Sequence, residues 1–154
     1  VSAAIDAGGV APDPDATGQR QLLARAKRVT MRLLGAAAKK YGKALGSEQE
    51  VVGRLADMAI EVYALESALL RAEKMQSRGG GAAVIALDIV TVFAADASDR
   101  LIIAAKNALA TIEGAGAAAA VERAIAELRH GPVDTIAARR RIADAVIEAG
   151  RYPL

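Results

Sequence analysis

Apolar residues recur at intervals of three and four along most of the chain. Between Gln19 and Leu45 they are Leu22, Leu23, Ala26, Val29, Leu33, Leu34, Ala37 and Tyr41, a spacing that lines one side of a helix. Gly46 is expected to stop that helix. Ser47 with Glu50 three positions on has the form of a capping box: the hydroxyl accepts from the first turn and the carboxylate reaches back to the Ser47 amide. A second helix therefore runs from here to about Met75. Its residues Leu55, Met58, Val62, Leu65 and Leu69 alternate spacings of three and four, and Val52, Ala56, Ala59, Tyr63 and Leu70 form a second apolar stripe beside them. Two stripes predict two neighbours, as in a bundle.

Gly79-Gly80-Gly81 breaks the pattern, and a third helix follows from about Ala82 to Glu113, with Asp96 and Arg100 spaced for an i,i+4 pair. Gly114-Ala115-Gly116 ends it. A shorter helix covers about Ala117 to Arg129, and Gly131-Pro132 opens a last one to Ala149, with Pro132 suited to a first-turn position that needs no N–H. Gly150 and Pro153 close it. No segment alternates like a strand between turn residues. The expected fold is an all-α up-and-down helix bundle over residues 17–154, preceded at 1–16 by a linker or loose segment containing Gly8-Gly9 and Pro12-Asp13-Pro14-Asp15.

At 154 residues the chain is one domain's length, enough to bury about two-thirds of its unfolded surface without covalent staples. The absence of cysteine excludes disulfides and thiolate chemistry, and one histidine, His130, excludes a His-based metal cluster. His130 sits at a helix junction, where a ring nitrogen can meet terminal carbonyls. The longest uncharged-looking run, Ala82 to Ala95, contains Asp88 and is shorter than the ~20 residues needed to cross a bilayer, so it reads as a core helix. The opening residues lack the basic and apolar regions of a signal peptide. Because the sequence begins at Val1 rather than Met, it reads as a piece of a longer product.

Candidate chemistry is sparse. Asp88 in the apolar run and Glu66 among leucines are the two acids that could be buried near a reacting group. Arg54 and Asp57 are spaced to pair across one turn. The glycine groups follow helices, not strands, so neither is a nucleotide-binding loop. Arg139-Arg140-Arg141 is a short basic run on a helix face.

Charge is distributed unevenly. From Ala16 to Gly46 there are eight basic residues and no acidic one, although the whole chain carries only +2. At 100° per residue, Arg25, Arg28, Arg32, Lys39 and Lys43 fall in a sector of about 60°, apart from the side that carries Leu22, Ala26, Val29 and Leu33. This is either a basic solvent face or a surface for an anionic membrane or acidic partner. With 3% aromatic residues to stack on bases, nucleic acid is not an expected partner.

The segments Lys40-Tyr-Gly-Lys43, Gln49, Arg54-Leu-Ala-Asp-Met-Ala-Ile-Glu61 and Leu70-Arg-Ala72 resemble the helical C-terminal domain of acyl-CoA dehydrogenases, in which a Phe-Gly turn precedes a helix beginning Leu-Ala-Asp-Met. Val92-Phe-Ala-Ala95, Ala108 to Gly116 and Val121-Glu-Arg123 continue the same order, so the likeness spans roughly 35–130. The departures are informative. An arginine that contacts flavin phosphate in catalytic members is replaced by Ala38, the later Arg-Asp becomes Ala126-Glu127, and the segment that supplies the catalytic base has no counterpart near Pro132 to Thr135. The chain is most similar to a degenerate copy of the domain, the extra C-terminal domain of very-long-chain acyl-CoA dehydrogenases. The positions Arg54 to Asp57, Ile60 to Tyr63, Arg71-Ala72 and Tyr152-Pro-Leu154 fit that extension.

The resemblance implies an FAD-dependent parent that oxidises acyl-CoA thioesters in fatty-acid β-oxidation and passes electrons to an electron-transferring flavoprotein. It implies a domain without catalytic, cofactor-binding or metal-binding residues of its own. Its expected partners are the catalytic part of the parent, a second copy, and an anionic membrane surface met by Arg25, Arg28, Arg32, Lys39 and Lys43. A cytoplasmic or matrix-type reducing compartment, with peripheral membrane contact, is the expected location. Two alternatives stay open: a fragment whose Asp88 or Glu66 still faces a flavin or acyl-CoA pocket, and a free-standing helical interaction module.

Overall fold

The computed structural model describes residues 16–152; the segment read as a linker, apart from Ala16, and the closing Pro153-Leu154 lie outside the described residues. Five α-helices make up the described chain: α1 (Thr17–Tyr41), α2 (Gln49–Gln76), α3 (Gly81–Glu113), α4 (Ala117–Leu128) and α5 (Thr135–Ala149). The all-α bundle expected from the periodicity is the observed architecture.

α3 is the centre. It packs against α1, α2, α4 and α5, whereas α5 packs against α3 alone. Half of the fourteen buried α3 residues are alanine. Small side chains let neighbouring axes approach closely, toward the lower end of the ~8–10 Å range of helix packing. By length and composition α3 could also cross a bilayer, which the shorter run ending at Ala95 does not suggest. Its contacts with all four other helices account for that apolarity as a bundle core.

The core consists of two hydrophobic clusters. In one, Val29, Leu33, Leu55, Met58, Leu101 and Leu128 bring together α1, α2, α3 and α4. In the other, Leu22, Leu65, Leu69 and Val90 join the start of α1 to the end of α2 and the start of α3. α1 and α2 run antiparallel, since Arg20 meets Glu73 while Lys27 meets Glu66. Buried Gln19 is satisfied by a 3.0 Å hydrogen bond to Thr91 Oγ1.

Three local readings are corrected. α1 ends at Tyr41, where Gly42 takes φ 54°, and residues 42–47 wind as a 3-10 turn instead of continuing the α-helix to Gly46. That turn absorbs Ser47, and the Glu48 N–H donates to the Leu45 carbonyl, so α2 starts at Gln49 with no side-chain cap and the capping box does not form. At the other end, α5 starts at Thr135 and not at Pro132. Asp134 caps it, its carboxylate accepting from the Ala137 N–H at 2.8 Å. An aspartate before a helix satisfies an orphan amide, which Pro132 cannot do. Gly150, at φ 60°, terminates α5 as expected.

Candidate interaction surface

The two acids singled out in the sequence are each held by a cation of a neighbouring helix. Asp88 is buried on α3 and receives both ends of the Arg141 guanidinium from α5, Nε to Oδ2 at 2.8 Å and Nη2 to Oδ1 at 2.5 Å. Glu66 lies at the surface, where Lys27 Nζ reaches its Oε1 at 2.6 Å. Neither carboxylate lines the two clefts described below, or a third between Val84 and Ile85 of α3 and Ala145 of α5. Asp96 pairs with Arg139 of α5, and Arg100 forks onto Glu61 of α2, so the expected Asp96–Arg100 pair is replaced by two pairs between helices. Sequence spacing cannot reveal partners that lie 39 and 43 positions away. The hydrogen bond with Glu61 holds Arg100 above the ordinary arginine range, against the opposing effect of burial; Asp88 does the same for Arg141. Arg54 and Asp57 do meet across one turn, at 3.4 Å.

His130 lies at the α4–α5 junction. Its backbone N–H donates to Ser98 Oγ at 3.0 Å, and Ser98 in turn donates to the Leu128 carbonyl, the last residue of α4. Nδ1 is 2.8 Å from the Gly131 carbonyl, which can only accept, so in this contact Nδ1 is the donor. Nε2 is buried without a partner. The arrangement ties the junction to α3, and the serine hydroxyl is committed to a carbonyl rather than poised as a nucleophile.

The basic face of α1 divides into two sets. Arg25 donates to the carbonyls of Glu127 and Arg129, at 2.7 and 3.4 Å, and Arg32 reaches Glu127 Oε1 at 2.6 Å. These two cations hold the C-terminal end of α4, where unpaired carbonyls and the helix dipole favour positive charge. Lys40 does the same for α3, donating to Thr111 and Ile112 carbonyls at 2.8 Å each. Arg28, Lys39 and Lys43 are exposed and make no ion pair among the described residues. The structure thus brings Arg25 and Arg32 together with α4 and leaves the other three facing outward.

The second α2 stripe is the largest departure from expectation. Val52, Ala56, Ala59, Tyr63 and Leu70 are all exposed, with Tyr63 at 74% and Leu70 at 61%. α2 has two neighbours, α1 and α3, but this stripe meets neither and stays exposed among the described residues. Across the α1–α2 seam, Met31 and Leu34 on α1 are exposed as well. At 100° per residue Met31 and Leu34 lie within about 40° of Lys27, and Val52, Tyr63 and Leu70 within about 60° of Glu66. Since Lys27 and Glu66 bridge the two helices, the apolar residues on each flank one seam. Together they make an outer layer two helices wide. Exposed apolar residues grouped on one side of a protein, unlike scattered single residues, are the kind of surface proteins use for contact.

Two small surface clefts add local relief. One, of ≈ 300 Å³ between α2 and α3, has apolar walls at Ile60 and Ile103 and a charged rim of Arg54, Asp57, Glu61 and Arg100. The other, of ≈ 310 Å³, lies beside His130, Asp99 and Thr135. Both sit at the low end of volumes that hold small molecules.

Residues 25–124 match the acyl-CoA dehydrogenase C-terminal domain family. A curated relative, "Probable acyl-CoA dehydrogenase" of Bacillus subtilis (strain 168), is 32% identical over 136 residues, covering 87% of this chain and 23% of that protein. The crystal structure of an acyl-CoA dehydrogenase from Bacillus anthracis complexed with FAD superposes on 95% of this chain with a TM-score of 0.83 and 32% identity. The chain belongs to the acyl-CoA dehydrogenase C-terminal domain family, and it spans about a quarter of the length of these relatives.

The family implies FAD, and the residues present can be tested against it. Ala38, where the resemblance implies a phosphate-contacting arginine in catalytic members, offers no polar side chain and is exposed. Nearby Lys40 is spent on the end of α3, and Gly114 to Gly116 form a 3-10 turn that closes that helix. These residues do not fit a flavin site, so no step through FAD is assigned to this chain.

Proposed function

We propose that this chain is a non-catalytic accessory domain of an FAD-dependent acyl-CoA dehydrogenase and packs on the catalytic part of that enzyme. The observation that carries the reading is the match to a quarter of a flavin-containing relative, over nearly the whole of this chain. The paired acids support it. Asp88, Glu61 and Asp96 are each held by an arginine of a neighbouring helix, so they serve to fix helix positions. The flavin and the acyl-CoA thioester belong to the remainder of the parent, in this reading an enzyme of fatty-acid β-oxidation.

The intact mass and reading frame of the native gene product test this directly. A product several times larger than 15.8 kDa and carrying a dehydrogenase portion supports the proposal. A product of about this mass, with no such portion, makes the chain a free-standing helical module.

A second reading, contact with an anionic bilayer, rests on Arg28, Lys39 and Lys43, since Arg25 and Arg32 are committed to α4. Each nearby lysine or arginine contributes about 1 kcal/mol of attraction to an anionic surface. Cosedimentation with phosphatidylglycerol vesicles, lost on charge reversal of these three residues, is the result this reading requires.

A further inference from the structure

Resting on the reading above, we infer that the outer layer of α1 and α2 is the surface that meets the dehydrogenase portion, and that the facing surface is apolar with a carboxylate-rich border. The apolar centre is Met31, Leu34, Val52, Tyr63 and Leu70, from 39% to 74% exposed. No other described residue buries it. These residues nevertheless follow the helical repeat of a buried stripe, which a surface selected only for solvation has no reason to keep.

Charge describes the partner's border. Most cations on α1 are consumed internally: Lys27 by Glu66, Arg25 and Arg32 by α4, Lys40 by α3. Those that make no ion pair among the described residues, Arg28 and Lys39 on α1 and Arg71 and Lys74 on α2, lie on exposed positions of the same two helices. A cationic rim around an apolar centre is complementary to a patch rimmed by aspartate and glutamate, and such complementarity fixes orientation more than affinity. In the structural relative the same bundle is one quarter of a longer chain, so the rest of that enzyme is the occupant at hand. A lone bilayer would need no specific register of Tyr63 against Leu70.

Hydroxyl-radical footprinting of the native gene product, purified without lipid, tests the assignment, because methionine and tyrosine are both reactive side chains. Met31 and Tyr63 should oxidise at least tenfold more slowly than in the same product unfolded in guanidinium chloride. Introducing Tyr63→Glu with Leu70→Glu should restore Met31 oxidation while helicity by circular dichroism is unchanged. If a product containing the dehydrogenase portion oxidises Met31 and Tyr63 within twofold of the unfolded rate, the inference fails and the accessory-domain reading survives. If the product has no dehydrogenase portion, both fail. Protection that disappears on tenfold dilution assigns the layer to a second copy, and protection seen only after adding phosphatidylglycerol vesicles assigns it to lipid; either overturns the inference.

Discussion

Arg141 on α5 grips Asp88 on α3 through two nitrogen–oxygen contacts, and the aspartate side chain is 6% exposed while the arginine is 44% exposed. The pair is half in water, and its two ends have unequal stakes. Removing Arg141 leaves a carboxylate stranded in the bundle. Fully buried pairs cost about 3–5 kcal/mol to break this way; screening at the open arginine end reduces the expectation to about 2 kcal/mol for Arg141→Ala. Urea unfolding followed by circular dichroism measures it. Replacing both partners, Asp88→Leu with Arg141→Met, should recover most of the loss, because no charge is then left without a partner. On the arginine side the pH dependence has a definite sign. The guanidinium is held above its ordinary value, so its contribution is complete below the usual arginine range and is lost only as pH climbs through the raised value. Stability from this ionisation is therefore flat from pH 7 to 9.

α5 is attached by charge more than by apolar burial. Ala138 is its only buried residue among those described, and its anchors are Arg139 to Asp96 and Arg141 to Asp88. Native-state hydrogen exchange should find α5 amides opening at a lower free energy than those of α1, α2 or α3. In Arg139→Ala with Arg141→Ala, α5 protection should fall close to that of an unstructured segment. Equal protection of α5 and α3 in the double variant would show that some other contact holds the helix.

Arg25 and Arg28 are three positions apart and have different work. Arg25→Glu replaces a donor to the end of α4 with a charge that the C-terminal dipole repels, at a cost of about 1–2 kcal/mol. Arg28→Glu should stay within about 0.5 kcal/mol of the parent. Thermal unfolding of the two variants side by side separates a latch from a solvent-facing cation.

Lys40 caps α3 through two carbonyls, and Lys40→Met keeps the stem while deleting the donor. The expected loss is about 1 kcal/mol in chemical denaturation, since water replaces part of the interaction at this open site.

Tyr63 and Leu70 make no contribution to the core clusters. Replacing both by lysine should leave the unfolding midpoint of this chain unchanged within about 0.5 kcal/mol. Leu65→Ala, between them on the same helix but fully buried, should cost about 3 kcal/mol. The contrast is readable in one denaturation series.

The helices were legible because periodicity is a local signal. Leu22, Val29 and Leu33 declare their side of α1 without knowledge of what they meet, and glycine clusters mark where chains turn. Pairings were not legible. Arg100 has Asp96 four positions back and still chooses Glu61, because α2 lies alongside and presents a carboxylate in reach of both guanidinium ends. Ser47 had the residue type of a cap and lost the position to a 3-10 turn begun five residues earlier at Gly42. The basic stripe of α1 could be seen in outline, but its division into cations that serve α4 and cations that face outward depends on where α4 ends. The second stripe of α2 was legible as apolar, but its exposure was not, because the two neighbours of α2, α1 and α3, are both met by the first stripe.

The alanines along the inner side of α3 set a rule for how this chain can vary. With Ala94, Ala97, Ala105 and Ala108 at 0–1% exposure, one added methylene has nowhere to go and must push an entire helix outward. A saturation scan would then invert the familiar map of tolerance. Large residues on the outer layer would accept almost any replacement during folding, while the smallest side chains in the protein, carrying a single methyl each, would be the ones that could not be exchanged.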